Sequence, residues 1–147
     1  MEMILIDQHL LSELHEKSAV NERLRVNLDL RTTTEDGSQR MINSLEVGTH
    51  VPIHRHQNTS ETVICLEGCL DWVFYMEIPN LDAERHINNN EIAKDESCFK
   101  EAARFRICPR DGQYGIQVPM GIWHSVVVYE PSTIFEAKDG KYVSRKL

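Results

Sequence analysis

The chain has 147 residues, of which 41% are hydrophobic and 27% are charged, a balance typical of one folded domain. Its net charge is −7 and it has no cluster of lysines and arginines, which argues against a nucleic-acid partner. No apolar run approaches the ~18 residues of a membrane-spanning helix, and the first residues lack the order of a signal peptide. We therefore expect a cytoplasmic protein with neither a nucleic-acid nor a membrane partner.

The chain carries four cysteines, and their spacing matches neither a CxxC pair nor a zinc ribbon. In a reducing compartment such residues are expected to be free thiols that pack in the interior. The four are Cys65, Cys69, Cys98 and Cys108.

Residues 1–22 predict a short helical segment that precedes the main domain. Asp7 is a suitable N-cap, and Leu10, Leu11 and Leu14 recur on one face of a helix over residues 8–18. Because so short a helix is marginal alone, we expect it to pack against the rest of the protein. The main domain is expected over residues 23–147.

The main domain is predicted to consist of short strands. Residues 23–31 alternate apolar and polar side chains, which is the pattern of a half-buried strand. Within residues 62–75, two apolar runs flank Glu67-Gly68 and predict a β-hairpin. The polar segment 77–101 is expected to be a long loop. Further strands are predicted over residues 105–108, 115–118, 125–129 and 134–138. Many short strands punctuated by turn residues favour an all-β sandwich or barrel in a single domain.

Two histidines and a glutamate with regular spacing predict a metal site. Residues two apart on an extended strand face the same side, so His54 and His56 would point together into a barrel. Glu61 follows a short polar turn and begins the next strand, where pairing can return its carboxylate towards both imidazoles. Two neutral nitrogens and a carboxylate oxygen suit Fe, Mn, Ni, Co or Zn.

A second segment supplies another imidazole. Pro119 and Gly121 shape a turn, and His124 then begins a strand. Local sequence alone does not bring His124 to the other ligands, so the predicted site depends on closure of the barrel.

These segments resemble the two conserved motifs of the cupins. The first motif, Gly-x5-His-x-His-x4-Glu-x6-Gly, is matched at Gly48, His54, His56, Glu61 and Gly68. The second motif is matched in part, at Pro119, Gly121 and His124, with Val128 where the motif has asparagine. The resemblance implies a single-domain cupin jelly-roll β-barrel. It also implies one divalent metal ion per chain, held by His54, His56, Glu61 and His124.

More narrowly, the chain is similar to the small WbuC-type cupin metalloproteins associated with O-antigen biosynthesis genes. The similarity covers the helical segment and four stretches, namely residues 23–27, 39–43, 54–56 and 135–140. It implies a context in cell-surface polysaccharide metabolism and supplies no established reaction.

Two further residues are candidates for catalysis. An arginine directed into a barrel can hold a carboxylate or phosphate through two hydrogen bonds, and Arg40 is such a candidate beside a solvated surface role. Glu136 is a candidate general base, although a salt bridge on a strand face is an alternative.

The leading hypothesis is a metal-dependent isomerase or epimerase that acts on a small carbohydrate-derived ligand. The first alternative is an Fe(II)-dependent dioxygenase, since three histidines and a glutamate can hold ferrous iron. The second alternative is a non-catalytic protein that binds a small molecule at an anchored metal. A homodimer is expected, because an open sheet edge invites a partner strand.

Overall fold

The computed structural model describes residues 3–79 and 91–140. Within these ranges the chain forms an N-terminal helix, six strands and two single-turn 3-10 helices. The elements are α1 (Gln8–Ala19), β1 (Arg25–Asp29), β2 (Ser38–Leu45), β3 (Glu61–Glu77), the first 3-10 turn (Glu96–Cys98), β4 (Phe99–Ile107), the second 3-10 turn (Pro109–Asp111), β5 (Gly115–Val118) and β6 (Trp123–Asp139).

Helix α1 begins where the sequence predicts. The Asp7 side chain accepts a hydrogen bond from the backbone N–H of Leu10 at 3.0 Å, as an N-cap does. Leu11 and Leu14 are buried, and the helix packs against β1 and β2. Apolar packing of one face therefore stabilises a helix too short to persist alone.

The strands form an antiparallel sheet in the order β1-β2-β6-β3-β4, with β5 also paired to β3. The long strands β3 and β6 have 17 residues each and pair along most of their length. Their register shifts between Cys65 and Leu70. These irregularities bend both strands, since extra residues in one strand kink and twist the pair.

Strand β3 bends sharply at Gly68, and we call this position the corner. A side chain at Gly68 would clash with β6. Gly68 has a φ of +107°, and a Cβ atom there would lie 2.3 Å from Ser132 Oγ. The predicted hairpin at Glu67-Gly68 is therefore wrong: the chain passes through the corner as one strand, because β6 bends beside it. For the same reason the strands predicted over residues 125–129 and 134–138 are parts of the single strand β6.

Both halves of the bent pair bury side chains in one core. Val63 and Cys65 from the first half of β3 share that core with Leu70 and Trp72 from the second half. The sheet therefore wraps around a single interior, with α1 on its outside. The all-β class with one short N-terminal helix is as predicted.

Strand β4 is longer than the sequence pattern indicates. It begins at Phe99, inside the segment 77–101 that was expected to be a loop, and residues 80–90 of that segment lie outside the described residues. Most β4 side chains are exposed because β4 lies at the edge of the sheet. An edge strand with two exposed faces lacks the alternation that reveals a strand. None of the described helices is long and apolar enough to cross a membrane.

Candidate metal centre

Two segments far apart in sequence meet at the backbone of His54 and His124. The N–H of His54 donates to the carbonyl of His124 at 3.0 Å, and the N–H of His124 donates back at 2.8 Å. This reciprocal pair is the closely spaced unit of an antiparallel ladder. It places the first residues of β6 beside the segment that carries His54 and His56.

Three imidazoles converge at this junction. One ring nitrogen from each of His54, His56 and His124 lies within 4.8 Å of those from the other two. The ring centroids are 4.3 Å apart for His54 and His124, 5.3 Å for His54 and His56, and 5.5 Å for His56 and His124. His56 and His124 are buried, and His54 is partly buried.

Backbone carbonyls decide which nitrogen two of the rings present. His54 Nδ1 lies 2.8 Å from the carbonyl oxygen of Pro52, and His124 Nδ1 lies 2.9 Å from that of Ile122. A carbonyl oxygen only accepts, so Nδ1 carries the proton and donates in each case. In the neutral ring the lone pair is then on Nε2, which is the arrangement found around metal-bound histidines.

Glu61 contacts the cluster through His56. Its side chain is buried, and Oε2 lies 2.8 Å from His56 Nε2. Two neighbouring ligands of one ion, each bound at about 2.1 Å and at right angles, would lie about 3 Å apart. The observed separation is therefore compatible with joint binding of one ion by His56 and Glu61.

Aromatic side chains form a wall beside the histidines. The rings of Trp72 and His124 are stacked, with centroids 5.7 Å apart and planes inclined by 20°, and Phe74 lies 6.4 Å from His124. Such an apolar shell limits solvent access and strengthens electrostatic interactions at the site.

Strand register places the two candidate catalytic residues, Arg40 and Glu136, on opposite faces of the sheet. Glu136 lies opposite Val63, a fully buried core residue, so it shares the interior face of the sheet. Arg40 lies opposite Ala137, whose other neighbour Thr62 is exposed, so Arg40 belongs to the outer face. The Arg40 guanidinium pairs there with Asp36 at 2.5 Å. The structure therefore does not bring Arg40 to the histidines, because strand parity directs it away from the interior.

Comparison with known proteins identifies the family and the fold. Residues 6–87 match a family model described as a domain of unknown function, DUF6016. The chain belongs to the DUF6016 family. No curated protein sequence matches this chain significantly.

Several solved structures share the fold of this DUF6016 chain. The cupin domain of Cnp3 from Schizosaccharomyces pombe is 13% identical, with 84% of this chain and 70% of that chain covered and a TM-score of 0.52. KdgF from Halomonas sp. is 12% identical, with coverages of 84% and 85% and a TM-score of 0.55. The capsular polysaccharide assembling protein CapF from Staphylococcus aureus is 17% identical, with coverages of 84% and 30% and a TM-score of 0.55.

These identities establish the fold alone, and this DUF6016 chain spans only 30% of CapF. The chain has the cupin fold, which confirms the predicted jelly-roll class. The three histidines could hold a divalent metal ion in it, because nitrogen donors with a nearby carboxylate suit several such ions.

Sequence reasoning missed two interior polar residues, Gln39 and Lys138. Lys138 lies opposite Glu61 on one side and opposite Gln39 on the other, so the three share the interior face. Gln39 is buried, and its amide oxygen has no hydrogen-bond partner in the part of the chain that the structure describes. We call Gln39, Glu61, Glu136 and Lys138 the interior polar row. The sequence could have predicted that Lys138 lies on the same face as Glu136, since residues two apart on a strand share a face.

Proposed function

We propose that this chain is a metal-dependent cupin enzyme that moves a proton within a small carbohydrate-derived ligand, as isomerases and epimerases do. The observation that carries the proposal is the shared interior face of the metal-binding residues and the interior polar row. Glu61 belongs to both sets, since it contacts His56 and lies opposite Lys138.

The spacing on this face suits a small ligand. Glu136 is the diagonal cross-strand neighbour of Glu61, since Glu61 pairs with Lys138 and Val63 pairs with Glu136. Diagonal neighbours in an antiparallel pair are separated by about 7–8 Å. A ligand oxygen close to Glu61 would therefore leave a neighbouring carbon within reach of the Glu136 carboxylate.

Each interior group has a chemical role in this proposal. A metal ion held by His54, His56, His124 and Glu61 would supply Lewis acidity towards a ligand oxygen. The Glu136 carboxylate would accept and return the proton as general base and acid. Lys138 would donate to a ligand oxygen that gains negative charge, and Gln39 Oε1 would accept a hydrogen bond from a ligand hydroxyl.

Two likenesses support a polysaccharide context for this reaction. The sequence resembles the WbuC-type cupins associated with O-antigen genes, and the fold is shared with CapF, which is described as a capsular polysaccharide assembling protein. We propose on this basis that the ligand is a nucleotide sugar or a sugar phosphate, and that the protein acts in the cytoplasm as a homodimer.

The test is proton exchange in D2O. Protein purified without chelators is analysed for metal content and then incubated with nucleotide sugars and sugar phosphates while NMR follows loss of C–H signals. We expect about one divalent ion per chain that is absent from a His54→Ala/His56→Ala protein. We also expect exchange of one ligand proton for deuterium. Glu136→Gln should reduce the exchange rate by about 10²–10⁴-fold and keep the metal. Arg40→Ala is the matched control and should leave both unchanged, because Arg40 lies on the outer face.

Other outcomes would redirect or remove the proposal. Bound iron together with ligand-dependent oxygen uptake would favour the dioxygenase alternative, since the same ligand set suits ferrous iron. A ligand that binds without proton exchange, with the same affinity for the wild type and for Glu136→Gln, would favour a non-catalytic binding protein. Absence of both binding and exchange would contradict the proposed function.

A further inference from the structure

We propose a second metal site, specific for a thiophilic ion such as Zn²⁺, formed by Cys69, Cys108 and Glu130 at the corner of the barrel. One ligand atom from each of these residues lies within 4.8 Å of the other two. The site shares no residue with the histidine cluster and does not depend on the proposed function.

Strand register brings the three residues together. The β3–β4 pairing reaches Leu70 and Ile107, so the next residues outward, Cys69 and Cys108, lie side by side. On the other side of β3, Cys69 lies opposite Glu130 of β6. The three side chains therefore come from three adjacent strands, next to the register shifts that form the corner.

The spacing of the two thiols is compatible with a zinc ion. Zn–S bonds of about 2.3 Å at the tetrahedral angle place two thiolates about 3.8 Å apart. The two sulfur atoms lie within 4.8 Å of each other. Small movements of the two cysteine side chains would therefore bring both sulfur atoms to bonding distance from one zinc ion.

Both thiols are shielded from solvent. Cys69 is 4% exposed and Cys108 is fully buried. The neighbouring Cys69 thiol and then burial raise the pKa of Cys108 to about 12. Such a thiol is a poor nucleophile and resists disulfide formation, whereas a coordinating metal ion deprotonates it outright. An ion that binds here would therefore have to displace the Cys108 proton.

A carboxylate and a neighbouring cation complete the surroundings of the two thiols. The Glu130 carboxylate belongs to the ligand group and forms an ion pair with Arg110. Arg110 and Asp111 belong to the second 3-10 turn, directly after Cys108. Arg110 can therefore offset part of the negative charge of two thiolates and a carboxylate.

The remaining cysteines provide a control. Cys65 donates its S–H to the carbonyl of Glu67 at 3.2 Å. Cys98 is also buried, but it packs in a separate cluster with Phe99 and Trp123. Cys98→Ser thus removes a buried thiol of similar exposure without touching the corner.

The experiment is titration of the reduced protein with Co²⁺ and Cd²⁺, followed by absorption. Thiolate ligands give a sulfur-to-metal charge-transfer band that histidine and carboxylate ligands do not. We expect this band to reach its full intensity at about one corner-bound ion per chain. It should persist in Cys98→Ser and in a His54→Ala/His56→Ala protein, and it should disappear in Cys69→Ser and Cys108→Ser.

Glu130→Gln tests the site without removing a buried thiol. The thiolate band should persist, with affinity reduced by about tenfold or more because one charged ligand is lost. A wild-type protein with no thiolate band would overturn the proposal without any variant. So would a band that survives in Cys69→Ser and Cys108→Ser, or one that is lost only in the histidine double variant.

Discussion

At the scale of single residues, two backbone carbonyls orient two rings of the histidine cluster. The carbonyls of Pro52 and Ile122 fix the orientation of His54 and His124, so both rings are held in place by the local chain. Such second partners of ligating histidines typically contribute 10–100-fold to metal affinity. The cluster is therefore shaped by the folded backbone rather than by the ion alone.

Replacing His124 should remove both a candidate ligand and its hydrogen bond to the backbone. We expect His124→Ala to reduce metal affinity by more than about 100-fold, because a ligand is lost together with its oriented partner. Elemental analysis and calorimetric titration measure the effect. His50→Ala is the control, since the His50 side chain is 70% exposed and pairs with Glu96. Equal metal binding by both variants would contradict the assignment of His124.

The candidate ligands could be proposed from the sequence, but the faces of Arg40 and Glu136 could not. The His-x-His spacing and the following glutamate need only local strand geometry to be interpreted. The face of Arg40 depends on the register of β2 with β6, which joins segments almost a whole domain apart. Such a register is set by packing of the complete core, and local pattern does not contain it.

At the scale of elements, the corner at Gly68 sets the path of β3. Gly68→Ala should destabilise the protein by about 2–4 kcal/mol, since it adds a steric clash to an unfavourable φ. Two controls separate these effects in urea denaturation. Gly112→Ala adds a Cβ at a φ of +84° with no atom within 4 Å, so it tests the backbone strain alone. Gly37→Ala adds a Cβ where φ is not positive and no atom lies within 4 Å, so it should show neither strain nor clash. Equal stabilities for the Gly68 and Gly112 variants would show that the clash is absent.

The sequence predicted a turn at this corner for a physical reason. A glycine beside a glutamate between apolar runs has the same local pattern at a hairpin and at a β-bulge. The difference lies in the partner: β6 runs alongside β3 on both sides of the corner. Only the tertiary pairing distinguishes a strand that bends from a strand that reverses.

Asp71 links three strands on the outer face. Its carboxylate accepts from Arg106 of β4 at 2.5 Å, from Tyr129 of β6 at 2.7 Å and from Arg104 at 3.3 Å. Burial raises the pKa of Asp71, but the hydrogen bonds from Arg106 and Tyr129 outweigh burial, and the pKa is lowered overall. The ionised carboxylate is therefore the stabilising form.

This linkage predicts a pH-dependent stability. Because the folded pKa is below the unfolded value of about 3.9, the contribution of Asp71 is complete above that value and is lost as the pH falls through the lowered one. Asp71→Asn should reduce the free energy of unfolding by about 2–4 kcal/mol at pH 7, and by less near pH 3. Denaturation at both pH values measures this, with Asp139→Asn as an exposed control. A difference that stays constant between the two pH values would contradict the linkage.

At the scale of the whole molecule, α1 is joined to the barrel by a partly buried polar network around His15. His15 Nδ1 lies 2.8 Å from Glu46, and Nε2 lies 3.0 Å from Thr133 and 3.2 Å from Glu67. Ser18 adds a bond of 2.6 Å to Glu46. The helix thus contacts the segment after β2, strand β3 and strand β6 at once.

Loss of this network should weaken the entire protein. We expect His15→Ala to lower the free energy of unfolding by about 1–3 kcal/mol, because buried partners lose their hydrogen bonds. A single unfolding transition is expected by both circular dichroism and tryptophan fluorescence, since the network around His15 and the buried Leu11 and Leu14 join the helix to the barrel. His9→Ala, on the exposed face of the same helix, should have little effect. Separate transitions for helix and barrel would contradict this coupling.

The pairing of the start of β6 with β3 and with His54 affects when the histidine cluster forms. His54, His56 and Glu61 leave the ribosome close together, but His124 follows only after β4 and β5. Pairing of such distant segments is slow, in the range of milliseconds to seconds for β proteins, so the centre is completed late in folding. An ion that needs the finished ligand set should therefore slow unfolding and leave the folding rate almost unchanged. In a cell, the metal would extend the lifetime of a protein that has already folded.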